Sequence, residues 1–386
     1  MLNSLMNITE NLNLSPAWAE INTANLSYNL NSIKQFLGHG SEIVAVVKAN
    51  AYGLGVDICA PALANSGVRW FAVANAQEAV EIRQLNITGN ILVFGSCRAG
   101  EEDLFAKYNL IPVIFTPEQV KRLDEFARSR GINLEVHAEI ETGMNRVGIP
   151  FNEVTAFSKF LSESKGIVVK GIMSHYAAAD SSDETAFTKN QLEKLLKARD
   201  IFLSDGHPIE YLHIENSPGA ITHHSNLTNL SRIGGLLYGF RKDVLPINVD
   251  EPQTKEVLSL KTRIELIKNI SAGETVGYSR TFTSTKDMRI ATIPIGYNDG
   301  LDRGLSNNWY VLVKGKKSPI VGRISMDWTT LDLSNIPEAK EGDEVVIIGE
   351  QGNEKIYIED MARAVNTISY EISCRLGKRV IRYRVA

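Results

Sequence analysis

The chain has 386 residues, 44% of them hydrophobic and 22% charged, with 29 glycines and 12 prolines. That composition excludes a disordered, collagen-like or disulfide-stapled protein and supplies enough apolar mass for a large core. Lys and Arg number 41 against 45 Asp and Glu, a net charge of −4, which points to neither a nucleic-acid nor an anionic-membrane partner. The three scattered cysteines, Cys59, Cys97 and Cys374, fit a reducing compartment. The opening MLNSLMNITENLNLS has neither the basic region nor the apolar run of a secretory signal. No apolar stretch nears the roughly 20 residues that cross a bilayer, so a cytoplasmic protein is expected.

From about residue 23, helix-period and strand-like runs alternate. Leu26, Leu30, Ile33 and Leu37 share one helical face, and EIVAVVK (42–48) is a short apolar run rich in β-branched residues. Similar runs recur at 70–73, 91–94, 111–115, 134–140, 169–174, 209–214 and 227–233, with amphipathic stretches such as 117–130 and 187–203 between them. Eight strands mostly separated by helices predict an α/β domain with a parallel sheet, and the number eight favours a closed, TIM-like (β/α)8 barrel. An open doubly wound sheet has the same periodicity. After Asp250 the helical period gives way to β-rich segments at 258–267, 289–295, 310–313, 344–348 and 380–383, with one helix at 358–367. The DEPQTK stretch (250–255) marks the change. Residues 17–254 are therefore read as the barrel domain and 255–386 as a second, mainly β domain, with 17–22 a strand that joins the latter.

In a barrel of this kind, function sits at the C-terminal ends of the strands. Polar residues gather there: Lys48, Glu139 running into ETGMNRVG with Arg146, His175, Glu215-Asn216-Ser217, and Arg232 before Gly234-Gly235. A lysine that ends an apolar strand is partly desolvated, and desolvation lowers an amine's pKa as Schiff-base chemistry requires. Taken alone, it would more often be a lysine that snorkels to solvent. Ser217 and Gly234-Gly235 follow the seventh and eighth strands, the usual phosphate-binding position, where backbone N–H groups approach an anion. A lysine across from a phosphate site fits pyridoxal phosphate, which carries both an aldehyde and a phosphate. His137, Glu139 and Glu141 share one face of a strand and could bind a divalent metal. A buried polar network anchoring Arg146 suits them better, because no other metal-ligand spacing accompanies them.

These residues lie in recognisable motifs. VVKANAYGLG resembles the coenzyme-lysine motif of bacterial alanine racemases, a fold-type III pyridoxal-phosphate family. SPAWAEINTANLSYN, ETGMNRVG, MSHYAAAD, HIENSPG, SRIGGLLYG, VGYSRTF, IPIGYNDG, VGRISMDW and ISYE match in order and spacing over nearly the whole chain. The resemblance implies that Lys48 carries the coenzyme and acts as one catalytic base, with Tyr278 as the opposite base. Tyr52, Ser217, Tyr370 and the backbones of Gly234 and Gly235 would hold the phosphate, with Asn216 beside them. His175 would pack against the pyridine ring, and Arg232, oriented by His213, would face the ring nitrogen. Arg146 and the backbone of Met326 would receive the substrate carboxylate, and Tyr297 would line the entrance. A head-to-tail homodimer is implied, in which Tyr278, Tyr297 and Met326 come from the neighbouring subunit.

The implied activity is interconversion of L- and D-alanine, the latter for cell-wall peptidoglycan. A serine or broad-specificity racemase is the alternative on the same scaffold. A fold-type III decarboxylase resembles this motif series poorly, and a small coenzyme-binding barrel would lack 255–386. Three positions depart from the family pattern. Leu54 in Gly53-Leu54-Gly55 replaces the usual histidine, Glu141 replaces aspartate, and Glu139 stands where many members have a carbamylated lysine. Glutamate brings the carbamate's negative charge without carbon dioxide, so Glu139 is expected to fix Arg146 through a charge-assisted pair.

Overall fold

The computed structural model describes residues 15–38, 40–95, 97–246 and 248–385. Residues 1–14, where a secretory signal would stand, lie outside them. The chain forms two compact units: one comprises residues 26–51 and 59–254, the other 15–25, 52–58 and 255–385.

Strand β1 (Ala17–Asn22) belongs to the second unit. The first is built on β2 (Glu42–Val46), β3 (Trp70–Val73), β4 (Asn90–Val93), β5 (Ile111–Ile114), β6 (Leu134–Glu141), β7 (Ile167–Met173), β8 (Tyr211–His213) and β9 (Leu230–Ile233). These eight strands are parallel and lie in the order β9-β2-β3-β4-β5-β6-β7-β8, with Arg232 of β9 opposite Val44 of β2. Asn229 N donates to Leu212 O at 3.0 Å and Arg232 N to Glu215 O at 3.1 Å across the remaining gap, so the barrel is nearly closed and the open-sheet alternative falls away. Val44, Ala45, Phe71, Ala72, Val73, Ile91 and Leu92 are fully buried. Strands covered on both faces read as continuous apolar runs, which is why no alternation was visible in the sequence.

The intervening helices are α1 (Thr23–Leu37), α2 (Val56–Asn65), α3 (Ala76–Gln84), α4 (Glu102–Lys107), α5 (Pro117–Arg130), α6 (Val154–Ser162), α7 (Thr185–Ser204) and α8 (Ser217–Thr222). Helix α5 shows how local sequence sets such limits. Thr116 and Gln119 form a reciprocal capping box, Pro117 opens the first turn, and Gly131 ends the helix in a left-handed conformation.

The second unit is mainly β. Its larger sheet holds β1, β10 (Leu258–Arg263), β13 (Tyr310–Val313), β14 (Lys316–Pro319), β16 (Glu344–Gln351), β17 (Glu354–Ile356) and β18 (Ile381–Val385). Strand β1 pairs antiparallel with β10, Ala19 opposite Leu260, and parallel with β18, Ala19 opposite Arg382. A three-stranded sheet comprises β11 (Leu266–Ile270), β12 (Met288–Ile293) and β15 (Thr329–Asp332). The stretch 258–267, read as one strand, is therefore two, in different sheets. The helix expected at 358–367 is α9 (Ile358–Ala364), which stops before Asn366 at φ 57°, and a second, unexpected helix α10 (Ser369–Cys374) follows. A six-residue helix is too short to show a 3.6-residue period.

Gly53 lies where two parts of the second unit meet. Its φ is +83°, and a Cβ there would stand 2.0 Å from the backbone oxygen of Ser373. Arg382 Nε donates to the Gly53 carbonyl at 3.0 Å. Gly53→Ala is expected to lower the unfolding free energy by on the order of 2–4 kcal/mol, measured by denaturant titration. An effect below about 0.5 kcal/mol would mean that the contact relaxes freely.

Candidate active site

Lys48 leaves β2 half-buried, and the chain then makes a left-handed turn. Ala49 (φ 53°, ψ 48°), Asn50 (φ 55°, ψ 50°) and Ala51 (φ 52°, ψ 53°) are followed by Tyr52 at φ 56°. For L-residues other than glycine and asparagine this conformation costs roughly 1–2 kcal/mol each, and it persists only where the surroundings over-determine it. Ala51 N donates to Val47 O at 2.9 Å, closing the turn. Tyr52 faces Tyr370 of α10, ring centroids 5.4 Å apart and tilted by 48°. Burial pushes the Tyr52 phenol well above its ordinary pKa, so it stays neutral.

Arg232 dominates the polar interior of the barrel. It is 3% exposed, and its Nη2 donates to the carbonyls of Ser174 at 2.7 Å and Ile214 at 3.1 Å. Its Nη1 meets His213 Nδ1 at 2.8 Å, and His213 Nε2 meets His137 Nδ1 at 2.8 Å. A guanidinium only donates. His213 therefore accepts at Nδ1, carries its proton on Nε2 and donates to His137, whose proton is on its own Nε2. That nitrogen is buried without a hydrogen-bond partner, and Trp70 and Tyr211 lie against the ring. Burial, reinforced by Arg232, pushes His137 down to about 3 and holds His213 well below its ordinary value. Both imidazoles are neutral. Burial also lowers Arg232, to about 10, against the opposing fields of Glu139 and Glu215, so its charge survives at neutral pH.

His175 lies between two donors, Arg232 Nη2 at 3.1 Å and Asn216 Nδ2 at 3.3 Å. Burial holds its pKa far down, assisted by Arg232, Arg146 and Lys48. A neutral imidazole accepts at one nitrogen only, so just one of the two contacts is a hydrogen bond. Its carbonyl receives Gln191 Nε2 of α7 at 2.9 Å.

Asn216 caps α8, its Oδ1 accepting from Gly219 N at 3.0 Å. Ser217 Oγ accepts from Gly234 N at 3.0 Å, which leaves the hydroxyl hydrogen available to a ligand. Gly235 opens a 3-10 turn, so its N–H has no partner inside that turn. Glu215, fully buried, clamps the loop between α8 and β9 by accepting from His224, Ser225 and Thr228, and it also accepts from Ser231 of β9.

Glu139 does not form the expected pair. Among the described residues no ion pair joins it to Arg146, which is exposed on the loop after β6. That loop is shaped by Glu141 instead, whose carboxylate accepts from the amides of Gly143 and Asn145. Burial raises the Glu139 carboxyl to about 7, with Arg232 and then Arg146 opposing that rise. The anchored arginine is also not the one expected: His137 connects through His213 to Arg232. Among the described residues no three His, Cys, Asp or Glu side chains gather as a metal site would need.

Tyr278, Tyr297 and Met326 lie in the second unit, exposed by 70%, 44% and 51%. Tyr297 N donates to Ser325 O at 3.0 Å and Asn298 N to Met326 O at 3.2 Å, which ties two of these loops together. Gly296 makes that approach feasible, since a Cβ would stand 2.3 Å from Ser325 O. Arg323 Nη1 donates to Ser279 Oγ at 3.1 Å beside Tyr278.

Residues 21–242 match the family described as alanine racemase, N-terminal domain, and residues 257–384 the alanine racemase C-terminal domain. The chain belongs to the alanine racemase family. It is 37% identical to the alanine racemase of Halothermothrix orenii over 95% of this chain and 96% of that one. With alanine racemase 1 of Clostridium acetobutylicum the identity is 34%, over 96% and 95%. The alanine racemase structure from Streptomyces lavendulae superposes with a TM-score of 0.90 at 28% identity, covering 96% of this chain and 97% of that one. The Bartonella henselae alanine racemase, described as having covalently bound pyridoxal phosphate, gives 0.83 at 29% identity, over 96% and 99%. Members of the alanine racemase family are pyridoxal-phosphate-dependent isomerases, and this chain is one. Its barrel fits the coenzyme chemically. Besides the Lys48 amine and the Ser217 hydroxyl, Arg232 keeps its Nε hydrogen and one Nη1 hydrogen without acceptors among the described residues.

Gln191 and the His137–His213 contact were not foreseen, because they join separate elements of the fold, and Glu215 was read only as one of the polar residues at a strand end.

Glu139 takes up its proton near 7 in the folded chain and near 4.5 when unfolded. Its stabilising contribution is therefore complete below about pH 4.5 and is lost as pH rises through 7. Glu139→Gln should gain on wild type by on the order of 1–3 kcal/mol between pH 5 and 8, measured by denaturant unfolding. A pH-independent difference would show that the carboxyl titrates like an exposed one.

Proposed function

We propose that the protein interconverts L- and D-alanine by two-base proton transfer, supplying D-alanine for peptidoglycan in the cytoplasm. The observation that carries this reading is the buried, charged Arg232, with donor hydrogens to spare, beside His175, a ring that itself lies within electrostatic reach of Lys48. The domains are 17–254 for the coenzyme-binding barrel, with the strand 17–22 joining the other domain, and 255–386 for the β domain.

When bound, pyridoxal phosphate supplies an electron sink for the charge left at the substrate α-carbon. Lys48 Nζ removes or returns the α-proton on one face, and Tyr278 Oη does so on the other. Turnover needs one base protonated while the other is not, so the two exchange roles with the direction of reaction. Arg232, held by His213, offers the ring nitrogen a hydrogen bond and no proton, because its guanidinium stays charged. His175 packs against the ring. Ser217, Gly234, Gly235, Tyr52 and Tyr370, with Asn216 beside them, hold the phosphate. Arg146 and the Met326 backbone orient the substrate carboxylate, Tyr297 lines the entrance, and Glu139 balances the charge of the arginines.

A head-to-tail homodimer, with Tyr278, Tyr297 and Met326 supplied by the second copy, is supported by the exposure of all three.

Incubation of the purified protein with each L-amino acid, followed by chiral chromatography, tests the substrate. Alanine is expected to racemise fastest; faster turnover of serine would replace it. Lys48→Ala should lose the bound chromophore, whereas Tyr278→Phe should keep it while the rate falls by roughly 10²–10⁴-fold. A colourless Tyr278→Phe protein would instead make the tyrosine an assembly residue. Co-expression of the two variants should restore up to about one quarter of wild-type activity, since half the dimers are mixed and each has one intact site. No restoration would contradict shared sites.

A further inference from the structure

The left-handed turn after Lys48 is strained, and something must hold it. Ala49 is exposed, yet its amide does not point into solvent: Glu78 of α3 accepts from Ala49 N through Oε1 at 2.8 Å. The same carboxylate accepts from Ala74 N through Oε2, also at 2.8 Å. Ala74 directly follows β3, the barrel neighbour of β2, to which Val47 N is already tied through Ala72 O at 3.0 Å. The glutamate thus bridges the chain just past the ends of two adjacent strands. Among the described residues, the Ala49 amide has no other acceptor.

We propose that Glu78 is a positioning residue for Lys48. The Ala49 N–H belongs to the peptide plane that begins at the Lys48 carbonyl, so fixing it fixes ψ of Lys48. The peptide plane on the other side of the Lys48 α-carbon is held by Ala51 N, which donates to Val47 O at 2.9 Å, so with both planes fixed the direction of the Lys48 Cα–Cβ bond is fixed too. Hydrogen bonds to a carboxylate are among the stronger ones, and two carboxylate oxygens set the orientation as well as the distance. Glu78 also lies in the first turn of α3, where the N-cap Asn75 accepts from the Glu78 backbone amide through Oδ1 at 3.0 Å, a bond that holds the helix start and does not touch the carboxylate. A residue serving only that helix would need neither oxygen on Ala49.

The inference rests on Lys48 being the coenzyme lysine, which Lys48→Ala tests separately. Exchange of the Ala49 amide reports on Glu78 whether or not that reading holds. The holoenzyme is compared with Glu78→Ala, Glu78→Gln and Asn75→Ala by hydrogen exchange of the Ala49 amide, by the pH titration of the coenzyme absorbance, and by kcat and KM. Glu78→Ala should speed Ala49 exchange at least about tenfold and lower kcat by a similar factor while KM changes less than about threefold. The absorbance titration should move with it. Glu78→Gln, which retains one acceptor oxygen, should fall between, and it provides the same readouts if Glu78→Ala does not fold. Asn75→Ala should lower the melting temperature and leave Ala49 exchange and the absorbance titration in place. Exchange within about twofold of wild type in the glutamate variants, or equal changes in Asn75→Ala, would overturn the proposal.

Discussion

Arg232 is a guanidinium buried without an ion pair among the described residues, and the polar interior of the barrel is arranged around that fact. A buried charge is costly unless its hydrogens are placed and a counter-field exists. Two backbone carbonyls and His213 take hydrogens, while Glu139 and Glu215 supply the field. Because arginine only donates, it fixes the protonated nitrogen of His213 and, through it, that of His137. Direction is imposed from the mouth of the barrel inward, and it ends on a buried N–H with nothing to receive it. The same logic restricts what the arginine could do to a bound aromatic nitrogen: it could donate a hydrogen bond but not a proton.

Lys48 is governed by backbone instead. A run of alanines in left-handed geometry is unfavourable alone and is stable here only through contacts from outside the run. In the second unit, Gly296 is a comparable device, since only a residue without Cβ lets the loops bearing Tyr297 and Met326 approach as they do.

Much of this was legible in the sequence, for identifiable reasons. Apolar runs bounded by turn residues gave the eight strands, and the amphipathic stretch 117–130 gave α5. Polar residues at strand ends located Lys48, His175, Ser217 and Arg232. The ordered motif series named the family, which periodicity alone could not do. What stayed hidden depended on long-range contact. The helix α10 is too short for its period to register, and the split of 258–267 follows from pairing with two different sheets. His137 was assigned to the wrong arginine because strand spacing shows which residues share a face and not what lies opposite. Glu139 was given a partner by analogy with a longer, carbamylated side chain; the shorter glutamate stays buried while Arg146 remains in its exposed loop.

The central claim is that a permanently charged arginine binds the coenzyme's ring nitrogen without giving up its proton. The most direct measurement is nitrogen-15 NMR of the protein loaded with pyridoxal phosphate labelled at that ring nitrogen, recorded at neutral pH. The account predicts a resonance in the range of an unprotonated, hydrogen-bonded pyridine that moves when Arg232 is replaced. A resonance in the far-upfield pyridinium range would contradict it.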